Sequence, residues 1–310
     1  MQELPRYFEL TRFALIEITG NESFAFLNRQ IVGDLSEINS RGWMFSAWCQ
    51  ANGRVICTFM VFRRNHSLFL ILPAVMKDRV LRRLNMYVLR SDVRIRDAGG
   101  DHFLLGLHGI NILDTDLFGP GTKTGNMLVT ETCCVLDLWG PKPRCLAVCR
   151  HDNLAMCMEK IQGICKKGEH TSWELLDIEA GIPWITDATS EAFLPQMLNL
   201  DLIQGLSYQK GCYPGQEVIA RLHYRGELKR KMFLGAGRSE TIPVPGAVLE
   251  RADTGAKTGG VIVAARHPDG GFRLLAVADI NAASAPMRVQ GAHDTVITLQ
   301  DLHYPGQLTA

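Results

Sequence analysis

The sequence predicts an α+β protein with antiparallel sheet that ends in a small all-β domain. Upstream of residue 231, several apolar strands follow one another directly with helical segments interspersed, which favours antiparallel sheet over a doubly wound fold. From Lys231 onward the helical periodicity disappears, and short apolar runs are separated by proline, glycine and aspartate, as in a β-barrel or sandwich. We therefore place residues 1–232 in the α+β region and residues 233–310 in the β domain.

The first α+β unit is expected over about residues 1–98. The Asn52-Gly53 pair tolerates positive φ and predicts a hairpin between two strands rich in aromatic and β-branched residues. Pro73 suits the first turn of a helix, where its missing N–H is not needed. The predicted elements are, in order, a strand over 14–18, a helix that begins near Asn21, strands over 43–49, 55–62 and 67–72, a helix over 74–89 and a strand over 93–96.

The second unit, over about residues 99–232, has a similar order of elements, and interleaving of the two units stays open. Asp152 is expected to cap a helix whose apolar residues recur every three or four positions. The predicted elements are strands over 102–107, within 128–138 and over 144–149, then a helix to residue 164 and two further helices.

Composition excludes several classes of protein. The chain has 310 residues, a formal net charge of +1, 46% apolar residues and 21% charged residues, which argues against a disordered, fibrous or supercharged chain. No secretory signal is visible, and no apolar run approaches the roughly 20 residues that cross a bilayer. Nine cysteines in this context are expected to be reduced thiols in a cytoplasmic protein.

Glu179 is the first candidate for binding. A capping-box pattern at residues 171–174 and the pair Gly181 and Pro183 predict a helix between them. Glu179 then lies in the last turn, where the negative end of the helix dipole disfavours a carboxylate. Two interpretations stay open, namely a carboxylate that accepts N–H bonds from a heterocycle and a solvated surface residue.

Cys212 is the strongest candidate for chemistry. Residues 213–216 have proline at the second position and glycine at the third, which predicts a type II turn followed by a helix over 216–224. Cys212 then lies just ahead of a helix N-terminus and two residues from Lys210, and both neighbours favour the thiolate. The alternative is a small residue packed under a turn, and spacing alone does not decide between the two.

Residues 210–217, K-G-C-Y-P-G-Q-E, match without a mismatch the K-G-C-Y/F-x-G-Q-E motif of the YgfZ family of folate-binding proteins. That family is structurally related to the aminomethyltransferase (T protein) of the glycine cleavage system. The resemblance covers most of residues 10–235. The further matching segments are F-L-N-R-Q at 26–30 with Asp34, N-G-R-V at 52–55, R-S-D-V at 90–93, I-E-A-G-I-P at 178–183, P-Q at 195–196, N-L-D at 199–201, A-R at 220–221, Y-R-G at 224–226 and K-R at 229–230.

The resemblance implies a ring of two ferredoxin-like α+β units and a C-terminal β-barrel around an opening that binds tetrahydrofolate. Glu179 corresponds to the carboxylate that pairs with the pterin, which suits a group able to accept two N–H bonds. Arg221, Arg225 and Lys229 either meet the glutamate tail or form a solvated helix face. The predicted catalytic residues are Cys212 and Lys210. The predicted cofactor-binding residues are Glu179, Tyr213, Gln216, Glu217, Arg221, Tyr224 and Arg225.

The function implied by the resemblance is a tetrahydrofolate-binding accessory protein. Such a protein supports iron–sulfur cluster assembly or repair and thereby tRNA modification, with iron–sulfur proteins or their assembly machinery as partners. Folate-dependent one-carbon transfer is an alternative, although aminomethyltransferases have an acid pair where this chain has Cys57-Thr58. A tRNA-binding module is a second alternative, based on seven basic residues between Lys77 and Arg96.

No metal site is predicted from the cysteine spacing. The pairs Cys145/Cys149 and Cys157/Cys165 lack the short CxxC form of zinc sites, and buried cysteine is common as a small hydrophobic residue.

Overall fold

The computed structural model describes residues 4–111, 117–292 and 295–304, which form two sheets with flanking helices and a closed barrel. The helices are α1 (Ser23–Gln30), α2 (Ile38–Arg41), α3 (Lys77–Val88), α4 (Leu154–Ile164), α5 (His170–Glu179) and α6 (Gln216–Arg225). The strands are β1 (Arg6–Glu9), β2 (Phe13–Thr19), β3 (Trp43–Cys49), β4 (Val55–Arg64), β5 (Ser67–Pro73), β6 (Arg94–Asp97), β7 (His102–His108), β8 (Gly121–Thr124), β9 (Met127–Thr130), β10 (Cys133–Leu138), β11 (Arg144–Arg150), β12 (Lys166–Lys167), β13 (Arg230–Gly237), β14 (Val248–Arg251), β15 (Lys257–Arg266), β16 (Phe272–Asp279), β17 (Met287–Val289) and β18 (Ile297–Gln300).

The first sheet has five antiparallel strands in the order β3-β4-β5-β2-β6. The predicted Asn-Gly hairpin between β3 and β4 is confirmed, with Gly53 at φ +78°. Helices α1 and α3 bury Leu27 and Leu84 in one core with residues of this sheet. The sheet and its two helices therefore form one layered α+β unit.

The second sheet has seven strands in the order β12-β1-β7-β11-β10-β9-β8. Strand β1, near the start of the chain, pairs antiparallel with β7 and parallel with β12. Helix α4 buries Cys157 and Ile161 in one core with residues of this sheet. Because β1 precedes the whole first sheet in the chain, the two units are interleaved.

A single core joins both sheets, α5 and the barrel. The Trp184 ring lies 4.7 Å from the Phe13 ring and 5.1 Å from the Phe45 ring, centroid to centroid. Trp173 of α5 and Ile262 of the barrel belong to the same buried cluster. Helix α5, which carries Glu179, is thus held by packing on several sides.

A buried ion pair lies within this core. Arg144 of β11 donates from Nη1 to Asp177 Oδ1 at 2.8 Å, and Trp184 donates from Nε1 to Asp177 Oδ2 at 2.9 Å. Burial raises the pKa of Asp177, while the Arg144 guanidinium acts in the opposite direction. The pair connects the second sheet to α5.

The C-terminal domain is a closed barrel with the strand order β13-β16-β15-β14-β17-β18. Its first strand begins at Arg230. After the last strand, the Tyr304 hydroxyl donates to Gly181 O at 3.2 Å and accepts from Asn199 Nδ2 at 3.4 Å. The same Asn199 amide donates to Met232 O of β13 at 3.1 Å, so Asn199 and Tyr304 connect the barrel to the end of α5.

Two helix-cap predictions are wrong. Asp152 lies in a 3-10 turn over 151–153 and accepts a bond from Arg150, while no side chain caps α4. Helix α5 begins at His170, so Thr171 lies inside the helix and no capping box forms. In both places the helical conformation begins one residue before the predicted cap, at His151 ahead of Asp152 and at His170 ahead of Thr171. The predicted stop is confirmed, since Gly181 follows α5 at φ +68°.

The prediction of nine reduced thiols is wrong, because Cys133 and Cys149 form a disulfide. The two residues lie directly opposite each other on β10 and β11. Six of the seven free cysteines are buried, and the seventh, Cys212, is exposed. The described helices include none with the length and apolarity of a membrane span.

Candidate functional site

The predicted type II turn ahead of α6 is confirmed. Gln216 N donates to Tyr213 O at 3.2 Å, and Gly215 has φ 85° and ψ 0°, the values of the third position of this turn. Helix α6 begins at Gln216, immediately after the turn. Cys212 therefore precedes a backbone segment with fixed geometry.

This turn packs directly on the first sheet. A Cβ atom at Gly215 would lie 2.6 Å from both Gln50 O and Gly53 Cα, so only glycine fits this approach. Gly53 belongs to the β3–β4 hairpin. The two turns, separated by more than 150 residues in sequence, thus hold each other in place.

Lys210 anchors the other end of the Cys212 loop. Its ammonium donates to Asn28 O, to Asn28 Oδ1 at 2.9 Å, to Ile31 O at 3.0 Å and to Gly33 O at 2.7 Å. These oxygens lie at and just beyond the end of α1. Burial lowers the pKa of Lys210 to about 8, and the nearby Asp34 charge acts in the opposite direction. The ammonium is therefore committed to holding the loop against α1.

The predicted residues that follow Lys210 divide into exposed and buried groups. Cys212 is exposed. Tyr213 is buried and its hydroxyl donates to Ser207 O at 3.2 Å, while Gln216 Nε2 donates to Lys210 O at 3.3 Å. Tyr213 and Gln216 thus support the loop from within, and the sulfur of Cys212 is left accessible.

The predicted residues on α6 lie on its exposed side. The exposed residues are Glu217, Arg221, Tyr224 and Arg225. Tyr224 is 67% exposed, and its ring lies edge-on to the His223 ring at 4.7 Å. No ion pair joins Arg221 or Arg225 to another described residue, so both charges face solvent.

Glu179 ends α5 next to the barrel, on a different element from Cys212. Its Oε1 lies 3.8 Å from His267 Nε2, beyond hydrogen-bond distance. His267 Nδ1 faces Asp269, whose N lies at 3.2 Å and whose Oδ2 lies at 3.5 Å, so Nε2 is the ring nitrogen that faces Glu179. The Glu179 carboxylate accepts no hydrogen bond from the described part of the chain. Both of its oxygens can therefore accept a hydrogen bond from a ligand.

A polar cavity of about 580 Å³ lies on the barrel, and its wall includes His267, the neighbour of Glu179, together with Arg238 and Arg273. A mainly apolar cavity of about 520 Å³, lined in part by Phe103, His151 and Met158, lies where β1, β7 and α4 meet. None of the predicted site residues lines either cavity. The polar cavity is connected to Glu179 through His267, and the Asp269 carboxylate and two guanidinium groups line it.

The basic stretch proposed as a tRNA contact is partly used for internal ion pairs. Arg79 pairs with Glu191, Lys77 with Asp97 at 2.5 Å, and Arg96 with Glu17 at 2.5 Å. Cations already paired to carboxylates have less charge to offer a phosphate. These ion pairs favour a structural role for the basic stretch over contact with tRNA.

Three residues important at the site are absent from the sequence-based prediction. Asn28 and Asn199 each lie in a segment that resembles the YgfZ family, so the sequence contained a signal for them. His267 lies in a barrel turn with no such signal. Its proximity to Glu179 depends on how the barrel packs against α5.

The comparisons with known proteins address the fold. No protein-family model matches the chain. The glycine cleavage system aminomethyltransferase T from Bartonella henselae superposes with a TM-score of 0.78 and 14% sequence identity over 97% of this chain and 86% of that chain. The heterotetrameric sarcosine oxidase from Corynebacterium sp. U-96 aligns with a TM-score of 0.34 and 11% identity over 55% of this chain and 89% of that chain. The match at a TM-score of 0.78 confirms the predicted fold class, and the chain has the fold of the glycine cleavage aminomethyltransferase T.

Proposed function

We propose that the chain is a tetrahydrofolate-binding protein of the YgfZ type that supports the assembly or repair of iron–sulfur proteins and, through them, tRNA modification. The observation that carries the proposal is the geometry of the K-G-C-Y-P-G-Q-E loop. Its sulfur, on Cys212, is the one described free thiol that solvent reaches. Lys210 holds one end of the loop and Gly215 holds the other.

This geometry suits a nucleophile that meets a large partner. A thiol reacts only where a second molecule reaches it, and buried cysteines are inert by comparison. Burial raises the pKa of Cys145 and Cys57 far above the ordinary value for a thiol, which keeps them protonated. Cys212, by contrast, is exposed and is presented on a rigid support, as a contact with an iron–sulfur protein requires.

The residues around Glu179 fit tetrahydrofolate. When bound, tetrahydrofolate supplies a one-carbon carrier with an aminopterin edge and an anionic tail. The unbonded Glu179 carboxylate matches the N–H donors of the pterin edge. Arg238 and Arg273 in the adjacent cavity match the carboxylates of the tail. Arg221 and Arg225, both exposed and unpaired among described residues, remain proposed contacts for the outer part of the tail.

Cys57 and Thr58, which stand where the aminomethyltransferases have an acid pair, do not favour aminomethyl transfer by this chain. Thr58 at this position is buried, donates to Pro183 O at 2.8 Å and accepts from Ile185 N at 3.0 Å. Its hydroxyl is therefore occupied in joining β4 to the segment after α5. Cys57 beside it is buried as well.

Glu179→Gln is expected to weaken tetrahydrofolate binding by about 10- to 100-fold, because a charge-assisted hydrogen bond contributes about 1.5–3 kcal/mol. Isothermal titration calorimetry of the purified chain with tetrahydrofolate measures the change. Glu169→Gln, an exposed position at the start of the same helix, is the matched control and should bind normally. Equal affinities for the two variants would remove Glu179 from the pterin site.

Cys212→Ala is expected to leave the fold unchanged and to abolish rescue of iron–sulfur enzyme activity in a strain that lacks the gene for this chain. The side chain is exposed, so its removal costs little stability. Gln209→Ala, exposed in the same loop, is the control and should rescue fully. Full rescue by Cys212→Ala would exclude the sulfur from the function.

A further inference from the structure

Three buried sulfurs meet beneath α4, away from the Cys212 loop. Cys133 begins β10, Cys149 lies opposite it on β11, and Cys157 faces them from the first turn of α4. Their Sγ atoms all lie within 4.8 Å of one another. The pairing of β10 with β11 and the packing of α4 on them bring the three sulfurs together.

The spacing of the Cys133 and Cys157 sulfurs is that of two ligands to one metal ion. Cys133 Sγ lies 3.8 Å from Cys157 Sγ. Two sulfurs that each bind one tetrahedral ion at about 2.3 Å are themselves about 3.8 Å apart. The Cys133–Cys149 disulfide bonds these two sulfurs to each other, so all three can bind one ion only after its reduction.

The surroundings protect such a site from water. The sulfurs belong to a cluster of buried apolar residues that also contains Leu107, Phe118 and Ile161. An apolar enclosure of this kind, which shields the sulfurs from solvent, suits a soft ion held by thiolates.

We propose that, after reduction of the Cys133–Cys149 disulfide, Cys133, Cys149 and Cys157 form a buried site for one thiophilic metal ion, with Cu(I) preferred. The reductant is a dithiol, which gives two electrons and two protons to the disulfide and becomes a disulfide itself. Binding of the ion then displaces protons from the thiols that become thiolates. Thiolate ligands select Cu(I) and Zn(II), and the number of ligands distinguishes them.

Cu(I) is preferred because three ligands satisfy it. Structural zinc is almost always four-coordinate. Among the described residues, no fourth cysteine, histidine or carboxylate joins the group of three. Zn(II) would need a ligand from solvent inside an apolar core.

The test uses the full chain, reduced with excess dithiol, desalted under argon and titrated with Cu(I) against a chromophoric Cu(I) chelator. A parallel titration uses Zn(II). One Cu(I) per chain is expected, with three sulfur neighbours by X-ray absorption. Cys157→Ser should weaken Cu(I) binding by more than about 100-fold, since even changes outside the ligand shell cost 10–100-fold.

Two variants and one untreated sample control the result. Cys212→Ser removes the exposed thiol, and Cys165→Ser removes a buried thiol of the same core that lies outside the group; both should bind Cu(I) as the wild type does. The wild-type chain with its disulfide intact, which needs no mutation and therefore folds normally, should bind Cu(I) more than about 100-fold more weakly.

Three results would overturn the proposal: unchanged affinity in Cys157→Ser, loss of Cu(I) binding in Cys212→Ser, or equal binding by the oxidised and reduced chains. Tighter binding of Zn(II) than of Cu(I) would overturn the preference for Cu(I).

Discussion

Asp177→Ala is expected to lower the free energy of unfolding by about 3–5 kcal/mol, the usual cost of breaking a buried ion pair. The Arg144 side chain has no exposed surface, and Asp177 is the carboxylate that receives its Nη1–H. Removal of the carboxylate leaves a buried guanidinium without a counter-charge. It also removes the acceptor of the Trp184 indole N–H. Urea denaturation followed by tryptophan fluorescence and circular dichroism measures the loss.

The double variant Arg144→Met with Asp177→Leu provides the control. Apolar residues of similar volume often replace a buried ion pair at little cost, so the double variant should recover the stability that the uncompensated Arg144 charge costs in Asp177→Ala, but not the part due to the unpaired Trp184 N–H. If Asp177→Ala unfolds at the same urea concentration as the wild type, the pair is not the support of α5 that its burial indicates.

Gly215→Val is expected to be the most damaging single change in the motif. A non-glycine residue at positive φ costs about 1–2 kcal/mol. In addition, its Cβ would lie 2.6 Å from Gln50 O and from Gly53 Cα, so the turn must leave the hairpin. Because this contact fixes the position of the Cys212 loop, we expect both lower stability and loss of rescue.

Gly211→Ala is the matched control for this change. Gly211 lies in the same loop, and a Cβ there would meet no atom within 4 Å. The urea midpoint and rescue should stay near wild-type values in Gly211→Ala and fall in Gly215→Val. Similar behaviour of the two variants would show that the docking of the turn is unimportant.

The sequence alone predicts features whose causes are local. The turn at residues 213–216 and the hairpin at Gly53 follow from backbone preferences of proline, glycine and asparagine, and the structure confirms both. The barrel follows from a change of periodicity that persists over many residues. Such signals need no knowledge of distant contacts.

The features that the sequence does not predict depend on contacts between residues that are far apart in the chain. The resemblance implies that Lys210 is catalytic, whereas its hydrogen bond to Asn28, 182 residues away in the chain, has no local sign in the sequence. The meeting of Cys133 with Cys157 requires both strand register and helix docking. The contact between Glu179 and His267 requires the barrel to be in place.

The position of β1 has a consequence for how the chain folds during synthesis. Arg6 pairs with His108 and with Lys166, so β1 is translated well before both of the strands with which it pairs. The five-strand sheet over residues 13–97 contains all its own strands and can be completed first. A cut near residue 98 would therefore leave β1 without a partner in the first fragment and open a gap between β12 and β7 in the sheet of the second.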